Sequence, residues 1–349
     1  MLDIQYLLFL QDLRVGLGGP ITGLFRIITA LGDFAFLFPM AGCILWCGNK
    51  RLANQILFVL CAGSMVISSL KVAACVSRPW LKDPRIHPDG AAVKTATGYS
   101  FPSGHAAGAT GLFGTIALYL RGFHRDPHGV GLHETDISPG TRQAKGHRAK
   151  GHRALAALCI ALALLVGFSR NWLGVHTPQD VVASLIACGV LVPLARTLFT
   201  RMEEDARTKR IAVAACALAA IGLAAYAALK PYPETFADGS PTDVVAMAEG
   251  SFAGAGALLG FLIGWLAEER FVGFDAPKHR SYLVARCVFG IAGLYALSVL
   301  LPAVLSGMHA WVGAFAGGFL GVMYMMLLYP AVFVWVEARM ARSRAARRR

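Results

Sequence analysis

The chain has 349 residues, of which 56% are apolar and only 15% charged, and its formal net charge is +13. So little charge excludes an ordinary soluble domain and implies a series of helices of about 20 apolar residues, each crossing a bilayer. The basic residues gather in short turns between apolar stretches and at the C-terminal end, which fits topology-setting charge and excludes a nucleic-acid-binding face.

Residues 2–14 mix Leu and Phe with Asp3, Gln5, Gln11, Asp12 and Arg14 and are not a signal peptide, so residues 1–20 are expected to lie at the membrane interface. Nine spanning helices are predicted after them: 22–47, 53–76, 104–121, 153–169, 179–199, 211–229, 247–267, 283–305 and 309–335. The fold class is therefore all-α and polytopic. Residues 21–200 form a first membrane unit, 201–336 a set of accessory C-terminal helices, and 337–349 a basic tail. The connections holding Lys50 and Arg51, Arg121 to Arg153, Arg196 to Arg210 and Arg270 to Arg286 alternate with basic-poor ones. The positive-inside rule puts the basic set and the C-terminus in the cytoplasm and the N-terminus outside. A bacterial plasma membrane is the expected location.

All eight cysteines (43, 47, 61, 75, 159, 188, 216 and 287) fall within or at the ends of apolar stretches, so they read as small core residues rather than a disulfide framework or zinc ribbon. The connector 122–152 carries five histidines (124, 128, 133, 147 and 152) and the tandem copy Lys145-Gly-His-Arg-Ala, Lys150-Gly-His-Arg-Ala; its loose spacing suits a flexible, solvated loop better than a metal site. Glycines at 256, 260 and 264 and at 313, 317 and 321 form small-xxx-small faces that would let these two spans pack closely.

Three blocks on the predicted outer face carry chemistry. In Lys71-x6-Arg78-Pro79, seven residues make nearly two helical turns, so both cations would project from one side of the second span. Lys71 lies inside an apolar run, where an ionisable group is costly and usually functional. In Phe101-Pro102-Ser103-Gly104-His105, Ser103 is a natural N-cap and Gly104 leaves backbone N–H groups open to an anion. In Ser169-Arg170-x5-His176-x3-Asp180, Thr177 and Pro178 read as N-cap and first helical residue, so Asp180 falls near the third position. There Asp180 is either a capping carboxylate or the partner that fixes the tautomer of His176.

Together the blocks supply phosphoryl transfer. Lys71, Arg78 and Arg170, with backbone N–H groups near Ser103 and Gly104, would neutralise phosphate oxygens. His176 would attack phosphorus, and His105 would protonate the leaving alkoxide and then activate water. No Asp and Glu cluster suited to magnesium lies on this face, so neither a metal nor another cofactor is expected.

These motifs resemble, in order and spacing, the three-part signature of the type-2 phosphatidic acid phosphatase superfamily over residues 50–195. The resemblance implies a helical membrane core, metal-independent hydrolysis of phosphomonoesters or diphosphates, and the residue roles just given. The layout departs from the six spans of many bacterial members: one span precedes the first motif and four follow the last. Nine spans with the N-terminus outside are similar to glucose-6-phosphatases, and sphingosine-phosphate phosphatases also extend beyond the core.

A site at the membrane rim favours a lipid phosphate or diphosphate (isoprenoid, phosphatidate-like or sphingoid), and Lys82, Arg85 and Lys94 in the loop 80–101 would steer its headgroup. Alternatives are a soluble sugar phosphate, a phosphotransferase in which another alcohol replaces water, and a non-catalytic lipid transporter or scaffold. The oligomeric state stays open.

Overall fold

A computed structural model describes residues 2–122, 139–277 and 280–346. Among them the fold is all-α, with no strand beyond one isolated bridge between Thr235 and Pro241. Helix α1 (Leu2–Leu17) is followed by α2 (Gly19–Ala30), α3 (Phe34–Cys47) and α4 (Lys50–Ala74). Two short helices, α5 (Pro79–Lys82) and α6 (Gly90–Lys94), lead to α7 (Gly104–Ala109), a π-turn (Thr110–Gly114) and α8 (Thr115–Gly122). Helices α9 (Pro139–Trp172), α10 (Pro178–Glu204) and α11 (Ala206–Leu229) follow, then α12 (Val244–Ala267) and α13 (Arg280–Leu305). The last rod is α14 (Ala310–Met323), a π-turn (Tyr324–Leu328) and α15 (Tyr329–Ala346).

Seven of these helices are long and apolar enough to cross a membrane, or eight if the bent pair α2–α3 counts as one. Nine were expected, and both departures lie in the first half. The span 22–47 is broken by 48° at Leu31-Gly32-Asp33, where Asp33 caps α3 by accepting the Ala35 N–H at 2.9 Å. The rod Gly104–Gly122 is rich in Gly and Thr and falls short in apolarity. Most of its residues are buried by neighbouring helices, so it has less need of a lipid-facing surface.

The interfacial segment is a packed helix. Ile4, Leu7 and Leu10 of α1 are buried against the site end of the molecule, and Gln11 donates to the Arg85 carbonyl at 3.0 Å. The connector 122–152 is helical from Pro139 onward, so the tandem Lys-Gly-His-Arg-Ala copies begin α9 rather than lie in a loop. The side chains of His124, His128, His133 and His147 lie outside the described residues. The tail likewise starts within α15.

The connections described here fall at two ends of the molecule. The loop 230–243 meets the motif loops, since the Ala237 N–H donates to Ser77 Oγ at 3.1 Å and Phe236 packs on Tyr99. At the opposite end Lys50 pairs with Glu268 at 2.7 Å, Arg51 with Glu203 at 2.9 Å and Arg286 with Glu337 at 2.9 Å.

The C-terminal helices join the core through glycine. A Cβ at Gly256 would stand 2.0 Å from the Phe315 carbonyl oxygen, and one at Gly260 would stand 2.5 Å from that of Phe319. The two predicted glycine faces do not meet each other. The α14 glycine in contact is Gly318, 2.2 Å from the Ala253 carbonyl by the same measure, whereas Gly317 and Gly321 face open space. Both helices contribute small residues to the close approach, Gly256 and Gly260 from α12 and Gly318 from α14.

Candidate active site

Each motif reaches the site through its own helix end. Helix α4 stops at Ala74, with Cys75 in the left-handed region at φ 49° and its N–H bonded to the Lys71 carbonyl. Lys71 and Arg78 therefore do not share a continuous helix face. Arg78 is the N-cap of α5, held out of helical geometry by the following Pro79. Ser103 caps α7, and Thr177 and Asp180 form a reciprocal capping box on α10.

His176 is 2% exposed and sits between Asp180 and Arg78. Its Nδ1 is 3.3 Å from Asp180 Oδ2, and its Nε2 is 3.0 Å from Arg78 Nη1. A guanidinium can only donate, so Nε2 accepts and the ring proton stays on Nδ1, which donates to Asp180. Asp180 Oδ2 also accepts from the Ser100 hydroxyl at 2.6 Å and from the Thr177 N–H at 2.8 Å. The two readings of Asp180 are thus both realised in one oxygen: it caps the helix and orients the imidazole. Burial, then the Arg78 charge, hold the His176 pKa well below its ordinary value, so the ring is neutral at physiological pH.

The cations are fixed by carbonyls. Arg78 donates to Gly98 O at 3.0 Å, Thr97 O at 2.6 Å and Val175 O at 3.1 Å, while Lys71 donates to Tyr99 O at 2.5 Å. Arg170 is fully buried and donates to the Thr29 hydroxyl at 2.8 Å, which leaves its Nε and Nη2 without a partner. Two unspent donors on a buried guanidinium are costly unless an acceptor arrives.

Lys71, Arg78, Gly104, His105 and His176 line one cavity of about 460 Å³. Arg170 and Ser103 do not line it. Ser103 is fully buried, its hydroxyl oxygen accepts the Ala106 N–H to cap α7 and its own N–H donates to the Asp180 carbonyl at 3.0 Å, so the backbone donor expected at Ser103 is already spent and the open backbone is that of Gly104. Lys82, Arg85 and Lys94 are not among the lining residues either, and Arg85 is tied to Asp83 at 2.7 Å.

Three supporting residues escape the sequence reading. Asp33 Oδ2 lies 3.6 Å from His105 Nε2, Thr29 orients Arg170, and Ser100 steadies Asp180. Asp33 offered one signal, a carboxylate inside an apolar stretch. Thr29 and Ser100 offered none.

Below its polar head the cavity continues along α4, past Ile67, Gly63 and Leu60, with Ala107 and Gly108 of α7 opposite and Ala246, Gly250 and Ala253 of α12 closing it. From Lys71 to Leu60 is about 16 Å of helix. Among the described residues no group of three or more His, Cys, Asp or Glu is arranged to hold a metal.

Compared with known families, residues 52–204 match the model described as the PAP2 superfamily. Residues 252–343 match the one described as the PAP2 superfamily phosphatase, transmembrane extension. No curated protein and no solved structure matches the chain.

Proposed function

The chain belongs to the PAP2 superfamily of membrane phosphatases, and from that premise we propose that it hydrolyses a lipid phosphate or diphosphate through a phosphohistidine intermediate. The single observation that supports this most is the shared cavity: two cations, an open helix N-terminus and two imidazoles face one space that continues between apolar helices.

The steps follow from the polar network. A phosphate entering the head takes over the Arg78 donor now spent on His176 Nε2 and gathers Lys71 and the Gly104 backbone, and the unspent donors of Arg170, buried behind the cavity wall, turn inward to meet it. The freed Nε2 lone pair attacks phosphorus, the P–O ester bond breaks, and His105 gives its proton to the departing alkoxide. Asp180 stabilises the positive charge that develops on His176. In the second half His105 takes a proton from water, the water oxygen attacks phosphorus, the P–N bond breaks, and inorganic phosphate leaves. Asp33 keeps the His105 ring turned toward the leaving group throughout.

The lipid reading rests on the mostly apolar continuation of the cavity, which follows about 16 Å of α4 and suits an acyl or isoprenoid tail. By the positive-inside rule the site faces outward across a plasma membrane. The test is phosphate release by purified protein from polyprenyl, glycerolipid, sphingoid and sugar phosphates. Preferred turnover of long-chain lipids is expected; equal turnover of a soluble sugar phosphate would replace this reading with a glucose-6-phosphatase-like one. Turnover of none, by protein shown to be folded, would favour a transporter or scaffold.

A further inference from the structure

The loop 230–243 joins α11 to α12 and lies between the two stretches that match family models. It nevertheless reaches the first motif at three points. Lys230, at the end of α11, turns its ammonium onto the Val72 carbonyl and onto Cys75 Sγ at 3.0 Å. The Ala237 N–H donates to Ser77 Oγ, and the Phe236 ring packs on buried Tyr99 with centroids 5.7 Å apart. The loop is held in shape by its own bonds, from the Phe236 N–H to Ser240 O at 2.8 Å and from the Thr242 N–H to Glu234 O at 2.9 Å.

Each contact lies next to a cation of the site or to its support. Val72 follows Lys71, and its carbonyl belongs to the last turn of α4, where no helical donor remains. The Lys230 ammonium and the Cys75 thiol, the latter at 3.0 Å, supply the donors, and a positive charge suits a helix C-terminus. Cys75 then takes a left-handed φ of 49°, a conformation that only glycine adopts freely. That turn ends α4 and sends Arg78 back toward Val175 O and His176 Nε2. Phe236 covers the other support of the cations. Tyr99 O accepts from Lys71, and its neighbours Gly98 O and Thr97 O accept from Arg78.

We propose that Lys230 is a positioning residue: by holding the Cys75 turn it keeps the Arg78 guanidinium seated beside His176, ready for phosphate. Phe236 and the Ala237 N–H act with it, steadying the carbonyls at 97–99 and Ser77 on either side of the cations. The role rests on the phosphatase reading of this site, and it makes the loop before α12 a working part of that site. Lys230 does not line the cavity, so it acts on the reaction only through Val72 and Cys75.

The test is a double-mutant cycle between Lys230 and Cys75 in the full chain. It is read as kcat/KM for dodecyl phosphate in mixed micelles and as inhibition by inorganic phosphate. Lys230→Met should lower kcat/KM about tenfold and weaken inhibition by phosphate to a similar degree. Lys230→Arg, which keeps a cation, should stay within about threefold of the wild type. Glycine takes a left-handed turn freely, so on a Cys75→Gly background Lys230→Met should cost less than about threefold. A loss of about tenfold on both backgrounds, or a fall in turnover with phosphate inhibition unchanged, would make Lys230 a structural residue of its loop and overturn the role. Lys230→Gln on the same two backgrounds serves if the methionine variant does not fold. Hydrolysis of glucose-6-phosphate alone would sink the lipid reading, and the same cycle read on that ester would still decide the role. Folded wild type that releases phosphate from neither ester would overturn the phosphatase reading and the role with it.

Discussion

Helices α4 and α13 are nearly equal in mean hydropathy, yet the most apolar stretch of α4 is 67% buried inside the protein and that of α13 only 6%. The difference lies in what else each carries. Helix α4 buries Asn54, Gln55 and Ser69 and brings Ser64, Ser68 and Lys71 to the cavity. Helix α13 turns Val288, Phe289, Tyr295, Val299, Leu300 and Val304 outward, and its buried charge, Arg286, is spent on Glu337 and two carbonyls at the basic end. Apolarity alone therefore says that a helix belongs in the membrane. Scattered polar groups say which helices the protein wraps, because each such group needs a protein or substrate partner away from water.

The comparison is most severely tested at the wrapped end. His176→Ala removes the proposed nucleophile and should lower phosphate release on the order of 10⁴-fold or more in protein that still elutes as a folded species. Retained turnover within tenfold of the wild type would remove His176 from the reaction. Arg170→Lys keeps the charge but loses the planar fork whose Nε and Nη2 are unspent, and about a hundredfold loss in kcat/KM is expected. A change of less than threefold would make Arg170 a structural cation held by Thr29.

A smaller effect separates positioning from chemistry. Asp33→Asn should cost about tenfold on an alkyl phosphate, whose poor leaving group depends on the proton from His105. On an aryl phosphate, whose leaving group departs without that help, the loss should be much less. Equal losses on both esters would show that Asp33 merely holds the break between α2 and α3.

How far the sequence foretold this site depends on how local each signal is. The caps at Ser103 and at Thr177 with Asp180 were legible because a cap is written within four residues. The three motifs were legible for the same reason. Arg78 was placed on the wrong element because the spacing from Lys71 suits a helix, and the left-handed turn at Cys75 leaves no such mark. Asp33, Thr29 and Ser100 act on partners 72, 141 and 80 residues away, and no local pattern encodes such contacts. The break at Gly32 was hidden too. An added Cβ there would lie 2.7 Å from the His105 carbonyl, a constraint imposed by a helix much later in the chain. Likewise, the glycine face of α12 was legible but not which residues of α14 meet it.

The smallest expected effect is a null, and it bears directly on the two helices. Leu57 on α4 is fully buried, so Leu57→Ala should cost about 2–5 kcal/mol through lost contacts and a cavity. Leu300 on α13 is 59% exposed and faces outward, so Leu300→Ala exchanges one apolar surface for another and should stay within about 0.5 kcal/mol. Thermal unfolding of the two variants in one detergent reads the difference, with the shared detergent cancelling the contribution of the micelle. Similar losses would mean that α13 is covered by protein in the membrane, as in an oligomer. A loss at Leu57 alone would make lipid the natural neighbour of α13 and leave substrate handling to α4 and the helices around it.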